Sequence, residues 1–274
     1  MNLNDLIQNV DLGGLIGQNI TNSLSPHIHN LLATAMSHNL HYMPFNVEPH
    51  ELEEAVAALH KFGVGGVNVT APHKTAVLPL TFALHESAER VQSVNLLKYT
   101  NSGYIGYNTD IDGILEILKY FRVEKVENST IFGAGGVARA AVDALSQLGC
   151  RRLTIINRSE ENADNLLRFA LENYEMEAKI AAEPARGDLF MQATSATPEE
   201  LVRLLPKLDF SVVFDMNYPA GNPWLTQVKK PGIMAFDGVG MLVFQAVKAY
   251  QITWHKIIPK FLAENLFANL NRFF

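Results

Sequence analysis

Short apolar runs and longer stretches with apolar residues every three to four positions alternate along nearly the whole chain, the pattern expected of strands followed by helices. Runs at 12–17, 42–47, 67–70, 94–99, 104–107, 130–132, 153–156, 189–193 and 211–215 predict strands, with another near Lys179. Asn101-Ser102-Gly103 turns the fourth of these into the fifth as a hairpin. Helical stripes are carried by Ile28, Leu31, Leu32 and Ala35, and by Leu52, Ala55, Val56, Leu59 and Phe62, where Gly63 stops the helix. Ile111, Ile114, Leu115, Leu118 and Phe121 form a third stripe; Val142, Leu145 and Leu148, closed by Gly149, form a fourth. Further helices are predicted up to about Asn173, around 199–205, up to about Tyr250, and through Phe261, Leu262, Leu266, Phe267 and Leu270. From Lys74 to Arg90 the pattern predicts a helical region interrupted by Pro79.

This order predicts an α/β protein. A mixed α/β unit of about a hundred residues is followed by alternating strands and helices that imply a parallel, doubly wound sheet. Because the parallel unit ends near Asp237, the last helices are expected to return to the first unit. The expected domains are therefore 1–108 with 239–274, and 109–238. The net charge of −6 argues against a non-specific nucleic-acid binder. The single cysteine, Cys150, leaves no intrachain disulfide and suits a reducing compartment. No apolar run approaches a membrane span, and Met-Asn-Leu-Asn-Asp-Leu-Ile lacks the basic flank and apolar core of an export signal, so a cytoplasmic protein with no membrane partner is expected. No His or Cys spacing suits a metal site.

The stretch from Val64 to Lys74 carries the first candidate chemistry. A buried strand ends where Pro72 suits the first turn of a helix, and ligands of open α/β sheets bind at that edge. Asn68, Thr70 and Lys74 would reach it. A lysine in a first helical turn meets the positive end of the dipole, which disfavours its ammonium form and prepares it to exchange a proton with a substrate hydroxyl. The same residue also fits an ordinary exposed lysine. Ser25 before Pro26 reads as an N-cap, a complete structural account that leaves Ser23 unexplained; two hydroxyls at a helix start also suit an anion such as a carboxylate. Asp110 reads equally as a first-turn capping carboxylate, and Gln245 as a helix-face glutamine turned to water.

The second candidate is Gly133-Ala134-Gly135-Gly136-Val137-Ala138, a G-x-G-x-x-A turn between a strand and a helix. Gly133 permits the tight turn, Gly135 lets a pyrophosphate approach the backbone, and Ala138 lets helix and strand pack closely. The next strand ends in Asn157-Arg158-Ser159, 24 residues on (157 − 133), where an NAD site usually places an acid for the ribose diol. Arg158 suits the 2′-phosphate of NADP instead, although Glu160 and Glu161 dilute its field.

Taken together, Ser-Leu-Ser-Pro at 23–26, Asn-Val-Thr-x-Pro-His-Lys at 68–74, Val-Asn at 94–95, Tyr-Asn-Thr-Asp at 107–110, Gly-Ala-Gly-Gly at 133–136, Asn-Arg at 157–158 and Gly-Met-Leu-Val-x-Gln at 240–245 resemble the shikimate dehydrogenases in order and spacing. The resemblance implies a substrate domain with a mixed sheet and a Rossmann-type NADP-binding domain. It implies reversible, NADP-dependent reduction of 3-dehydroshikimate to shikimate in aromatic amino-acid biosynthesis. Ser23 and Ser25 would hold the substrate carboxylate; Asn68, Thr70, Asn95, Tyr218 and Gln245 would bind the ring; Lys74 and Asp110 would form the catalytic pair. The cofactor would lie along Gly133 to Ala138, Asn157, Arg158, Ser159, Thr194, Met216 and Gly238, with no metal. The chain departs from the family at four places. Ala71 replaces a larger aliphatic residue, and 192–197 ends in Thr197 where the family has Gly. The loop from Asp215 to Pro223 is one residue short, and Asn162 stands where a second basic residue assists Arg158. A quinate-oxidising or NAD-using sister enzyme and a non-catalytic NADP-binding regulator remain as alternatives, and a homodimer stays open.

Overall fold

A computed structural model describes residues 10–270 apart from 195 and 219–221. Among these, contacts divide the chain into two compact units, 10–109 with Val243–Leu266, and Asp110–Leu242 with 267–270. The division falls inside two continuous helices near the C-terminus.

The first unit runs β1 (Asp11–Gly17), α1 (Ser25–Ala35), β2 (Leu40–Asn46), α2 (Leu52–Lys61), β3 (Gly66–Val69), α3 (His73–Ala76), β4 (Ala83–Leu84), α4 (Glu86–Val91), β5 (Leu96–Thr100) and β6 (Gly103–Tyr107). Its strands form one six-stranded sheet in the order β2-β1-β3-β5-β6-β4. β1 pairs parallel with β2 and β3, whereas β5 is antiparallel to both β3 and β6, which gives the mixed sheet that the predicted hairpin requires. Ile16, Val56, Val67, Val69, Val77, Leu97 and Tyr104 make its core. Burial of such side chains is worth about 1.5–3 kcal/mol each.

Two local expectations fail here. No helix spans 74–90: α3 is a single turn, a 3-10 turn follows at Leu78–Leu80, and β4 then pairs with β6. Pro79 breaks the helix, and Phe82 and His85 give their amides to Tyr104 and Gly106 carbonyls of the sheet. Pro72 precedes α3 and follows a cis peptide bond, so it does not occupy the first helical turn.

The second unit comprises α5 (Asp110–Tyr120), β7 (Asn128–Phe132), α6 (Ala138–Gln147), β8 (Arg152–Ile156), α7 (Glu160–Asn173), β9 (Glu177–Ile180), β10 (Gly187–Gln192), α8 (Pro198–Val202), β11 (Phe210–Asp215), α9 (Pro223–Val228) and β12 (Met234–Phe236). Its six strands are all parallel, in the order β12-β11-β10-β7-β8-β9, a doubly wound sheet whose order reverses on either side of β7. Two further helices, α10 (Val239–Trp254) and α11 (Lys260–Leu270), contribute residues to both units. No helix among the described residues is long and apolar enough to cross a membrane.

Cys150 is buried, and that burial pushes its thiol up to about 11. A thiol so seldom ionised is a poor nucleophile. Alkylation by iodoacetamide at pH 8 is therefore expected only after denaturation; prompt labelling of the native protein, followed by mass spectrometry, would show that the α6–β8 corner opens freely.

Candidate active site and cofactor site

In the first unit the expected substrate residues lie on β3 and just after it, just before the antiparallel β5, and on or beside helices. Asn68 is buried on β3, half-buried Thr70 follows that strand, and half-buried Lys74 lies in α3. The α3 turn is tied down by two bonds: Val94 donates its amide to the Lys74 carbonyl (2.8 Å), and His73 Nε2 meets the Val47 carbonyl (2.8 Å).

The serine pair is arranged differently from expectation. Ser25 caps nothing with its side chain; it is the first residue of α1 and is buried. Ser23 Oγ instead accepts the Ser25 amide (3.3 Å), so the unexplained serine is the one that serves the helix start. Backbone N–H groups at a helix start and two neighbouring hydroxyls are a chemistry suited to an anion.

A buried polar chain links three of the expected residues. Tyr42 Oη donates to Asn68 Oδ1 (2.8 Å), and Asn68 Nδ2 donates to the Asn95 carbonyl (3.2 Å). Asn95 Oδ1 accepts the Thr109 amide (2.7 Å), Asn95 Nδ2 reaches Thr109 Oγ1 (3.0 Å), and that hydroxyl donates to Gln245 Oε1 (3.4 Å). Gln245 is buried, so it is not a glutamine turned to water. Thr109 carries the chain directly into Asp110, the first residue of α5 and itself buried. Tyr42 and Thr109 were not legible as site residues, because their partners lie 26, 14 and 136 positions away in sequence.

Behind Tyr42 stands His29, its ring 4.1 Å away and within 2° of parallel. Neither imidazole nitrogen has a hydrogen-bond partner among the described residues, and burial pulls the ring's pKa down to about 3. The unfolded chain takes up this proton near the ordinary 6.5, so it binds more protons than the native state between the two values, and stability falls as pH drops through that window. His29→Phe, which keeps a flat ring against Tyr42, is expected to recover about 2 kcal/mol at pH 5 relative to pH 7.5. Urea unfolding at both pH values checks this; an identical acid slope in the variant would assign the slope to other groups.

In the second unit the glycine turn lies between β7 and α6. Gly133 has φ +120°, and a Cβ there would fall 2.5 Å from Thr194 Cγ2. At Gly135 a Cβ would meet only the Ala193 carbonyl, at 3.9 Å, so nothing in the protein demands glycine there; the space beside it is open to a ligand. Ala138 is fully buried, as close helix–strand packing requires, while Gly136 is exposed and Val137 half-buried. A cleft of about 310 Å³ is lined by Gly133, Ala134, Gly135, Asn157, Arg158, Ser159, Asn162, Thr194 and Glu200, among others. Asn157 braces this turn: its Oδ1 accepts the Ala134 amide (3.1 Å) and its Nδ2 donates to the Ser159 carbonyl (2.8 Å). Ser159 Oγ caps α7 by accepting the Asn162 amide (3.3 Å).

Thr197 does not need the glycine conformation. It is extended (φ −71°, ψ 157°) and caps α8, and Glu200 Oε2 accepts its amide in return (2.8 Å). Glu200 is the cleft residue that sequence reasoning passed over, although Thr-x-x-Glu is a capping-box signal. Among the described residues that line the cleft, Arg158 is the one lysine or arginine, and Glu200 lines it as well.

Met216 and Gly238 come together at the carboxyl edge of the same sheet, where a Cβ at Gly238 would fall on the Met216 carbonyl at 2.2 Å. Met216 donates its amide to the Gln192 carbonyl (2.9 Å), and Gln192 Oε1 in turn accepts the Thr194 amide. Asp215 organises the short loop that follows. Its carboxylate accepts the Asn217 amide (2.9 Å), Asn222 Nδ2 (2.8 Å) and Trp224 Nε1 (2.7 Å); burial raises its pKa, against the pull of these bonds. Half-buried Tyr218 lies on this loop; residues 219–221 are outside the described ones. Among the described residues, no group of three or more His, Cys, Asp or Glu side chains is placed to hold a metal ion.

A parallel doubly wound sheet with a glycine turn at the start of α6 and an arginine after β8 defines a dinucleotide-binding α/β protein of the oxidoreductase class. Residues 15–97 match the family described as Shikimate dehydrogenase substrate binding domain, and residues 117–204 the family described as Shikimate / quinate 5-dehydrogenase. This chain belongs to the shikimate dehydrogenase family. A "Shikimate dehydrogenase (NADP(+))" of Synechocystis is 32% identical over 266 residues, covering 90% of this chain and 91% of its own. A shikimate dehydrogenase solved in complex with NADP+ superposes with a TM-score of 0.84 at 28% identity, covering 97% of this chain and 96% of the other. Shikimate 5-dehydrogenase of Listeria monocytogenes, in complex with shikimate and NAD, gives 0.81 at 27%, covering 94% and 96%.

Proposed function

We propose that this chain catalyses the reversible, NADP-dependent interconversion of shikimate and 3-dehydroshikimate, a step of aromatic amino-acid biosynthesis. The observation that carries the reading is the buried chain of Asn68, Asn95, Thr109 and Gln245, which gathers side-chain amides suited to ring hydroxyls in the first unit, with Asn68 and Asn95 inside the substrate-binding family match. The cleft in the second unit suits NADP: Gly133 allows the tight turn against Thr194, Gly135 leaves space beside the backbone, and Arg158 supplies a cation for the 2′-phosphate.

NADP+ held by the Gly133–Ala138 turn and Arg158 would supply the hydride acceptor for the carbon that bears the reacting hydroxyl. The carbonyl forms only if the hydroxyl proton leaves as well, and in this reading Lys74 Nζ accepts it and returns it in the reverse direction. Asp110 orients the hydroxyl and the ammonium. Ser23 and Ser25 hold the carboxylate at the start of α1; Asn68, Thr70, Asn95, Tyr218 and Gln245 fix the remaining ring oxygens.

Shikimate with NADP+, followed by absorbance of the reduced cofactor and run beside quinate and NAD+, tests the proposal. Faster turnover of quinate, or preference for NAD+, would move the chain to the sister activity. No turnover of any pair, despite tight NADP+ binding, would favour the regulator. Retention of both Lys74 and Asp110 supports an enzyme.

A further inference from the structure

A side-chain amide is nearly symmetric in shape but opposite in chemistry at its two ends, so a half-turn exchanges acceptor for donors. For a site that reads hydroxyls with three amides, something must fix which end each one presents. In the first unit two backbone groups and two hydroxyls share that task. Tyr42 directs its O–H at Asn68 Oδ1, while the Asn68 amino group is held by the Asn95 carbonyl. Turning Asn68 over would set its carbonyl against that of Asn95, with no donor between them. At the other end, the Thr109 backbone amide can only donate, which fixes Asn95 Oδ1 towards it; Thr109 Oγ1 accepts Asn95 Nδ2, and its one proton has two acceptors in reach, Asn95 Oδ1 (3.2 Å) and Gln245 Oε1 (3.4 Å), of which only Gln245 lacks the Thr109 amide as a donor.

We propose that Tyr42 and Thr109 are positioning residues that set the orientation of Asn68, Asn95 and Gln245, and so govern recognition of the substrate's ring hydroxyls without reaching the substrate. Thr109 is fully enclosed and Tyr42 is 5% exposed, so both act through the amides. Tyr42 suits the task because burial raises its pKa well above the ordinary value, which keeps the phenol a donor at any working pH. Flat stacking on the uncharged His29 ring holds it in place, and Tyr250 flanks the same imidazole with a centroid separation of 6.4 Å.

This inference rests on the shikimate reading, and Tyr42→Phe, Asn68→Ala and the double variant separate the two. Tyr42→Phe keeps the stacked ring and removes one O–H. It is expected to raise KM for shikimate about tenfold, the worth of one hydrogen bond, with kcat within about threefold. The NADP+ Kd, measured by calorimetry, should not move. In the Asn68→Ala background the same change should add less than about twofold, because the group it orients is gone. Thr109→Val tests the other end against a Gln245→Ala background in the same way, and decides the matter if Tyr42→Phe does not fold. An unchanged KM, an undiminished effect in the alanine background, or a joint loss of kcat and NADP+ binding overturns the inference. If the wild type leaves shikimate untouched, the functional reading falls and takes the inference with it.

Discussion

Lys74→Ala is expected to lower kcat for shikimate oxidation by on the order of 10²–10⁴, the usual worth of a positioned acid or base, with a smaller change in KM. The physical ground is the rigidity of its support. A lysine on a flexible loop would sample many positions; this one is carried on a single helical turn fixed by the Val94 amide and by buried His73. The turn follows closely on β3, whose Asn68 belongs to the amide chain, so the ammonium and one of the proposed hydroxyl-binding amides share one short stretch of backbone. Steady-state kinetics in both directions measure the effect. The loss should be similar for oxidation and reduction, because one group removes the proton in one direction and supplies it in the other. Wild-type turnover in the variant would sink the proposed mechanism.

The second large effect is expected in the cofactor cleft. Arg158→Ala should remove about 1.5–3 kcal/mol of NADP binding, the worth of one hydrogen bond to a charged group, and leave NAD nearly unchanged. Two features keep the wild-type preference modest. Asn162 brings no second cation, and Glu200 holds a carboxylate on the cleft wall through its bond to the Thr197 amide. Arg158 is also exposed, so the preference should weaken as salt rises. Kinetics with both cofactors at low and high ionic strength test this. An equal loss for NAD and NADP would mean that Arg158 supports the turn and does not read the phosphate.

What could be read from the chain depended on how local the signal was. The β7 strand, glycine turn and α6 were legible because Gly133 and Ala138 meet steric demands from neighbours that the motif itself implies. The serine pair was legible as chemistry but not as geometry: Ser25 before Pro26 has the form of a cap, and only coordinates show that α1 already includes it. Strand β12 escaped because three residues are too few to show alternation. The helix α9 escaped despite Asn222-Pro223, a cap followed by a first-turn proline, because a six-residue helix shows little periodicity. Tyr42, Thr109 and the Asp215 cluster belong to a different category. Their meaning lies in hydrogen bonds between distant segments, and no window along the sequence contains both partners.

The return of residues 243–266 to the first unit has a consequence for how the protein is made. Gly65 and Gly66 of the N-terminal sheet lie close against Trp254 and Thr253, where a Cβ would fall 2.6 and 2.5 Å from those side chains, and His38 Nδ1 meets the Tyr250 hydroxyl at 2.6 Å. On the ribosome these partners emerge nearly 190 residues after the glycines they cover (254 − 65 = 189 and 253 − 66 = 187). The intervening parallel unit has all six of its strands by Phe236 and can condense first. The sheet of the first unit is therefore made long before the residues that cover Gly65 and Gly66. Nascent chains stalled once Phe236 has left the ribosome, but before Thr253 has, should show a second unit more resistant to protease than the first.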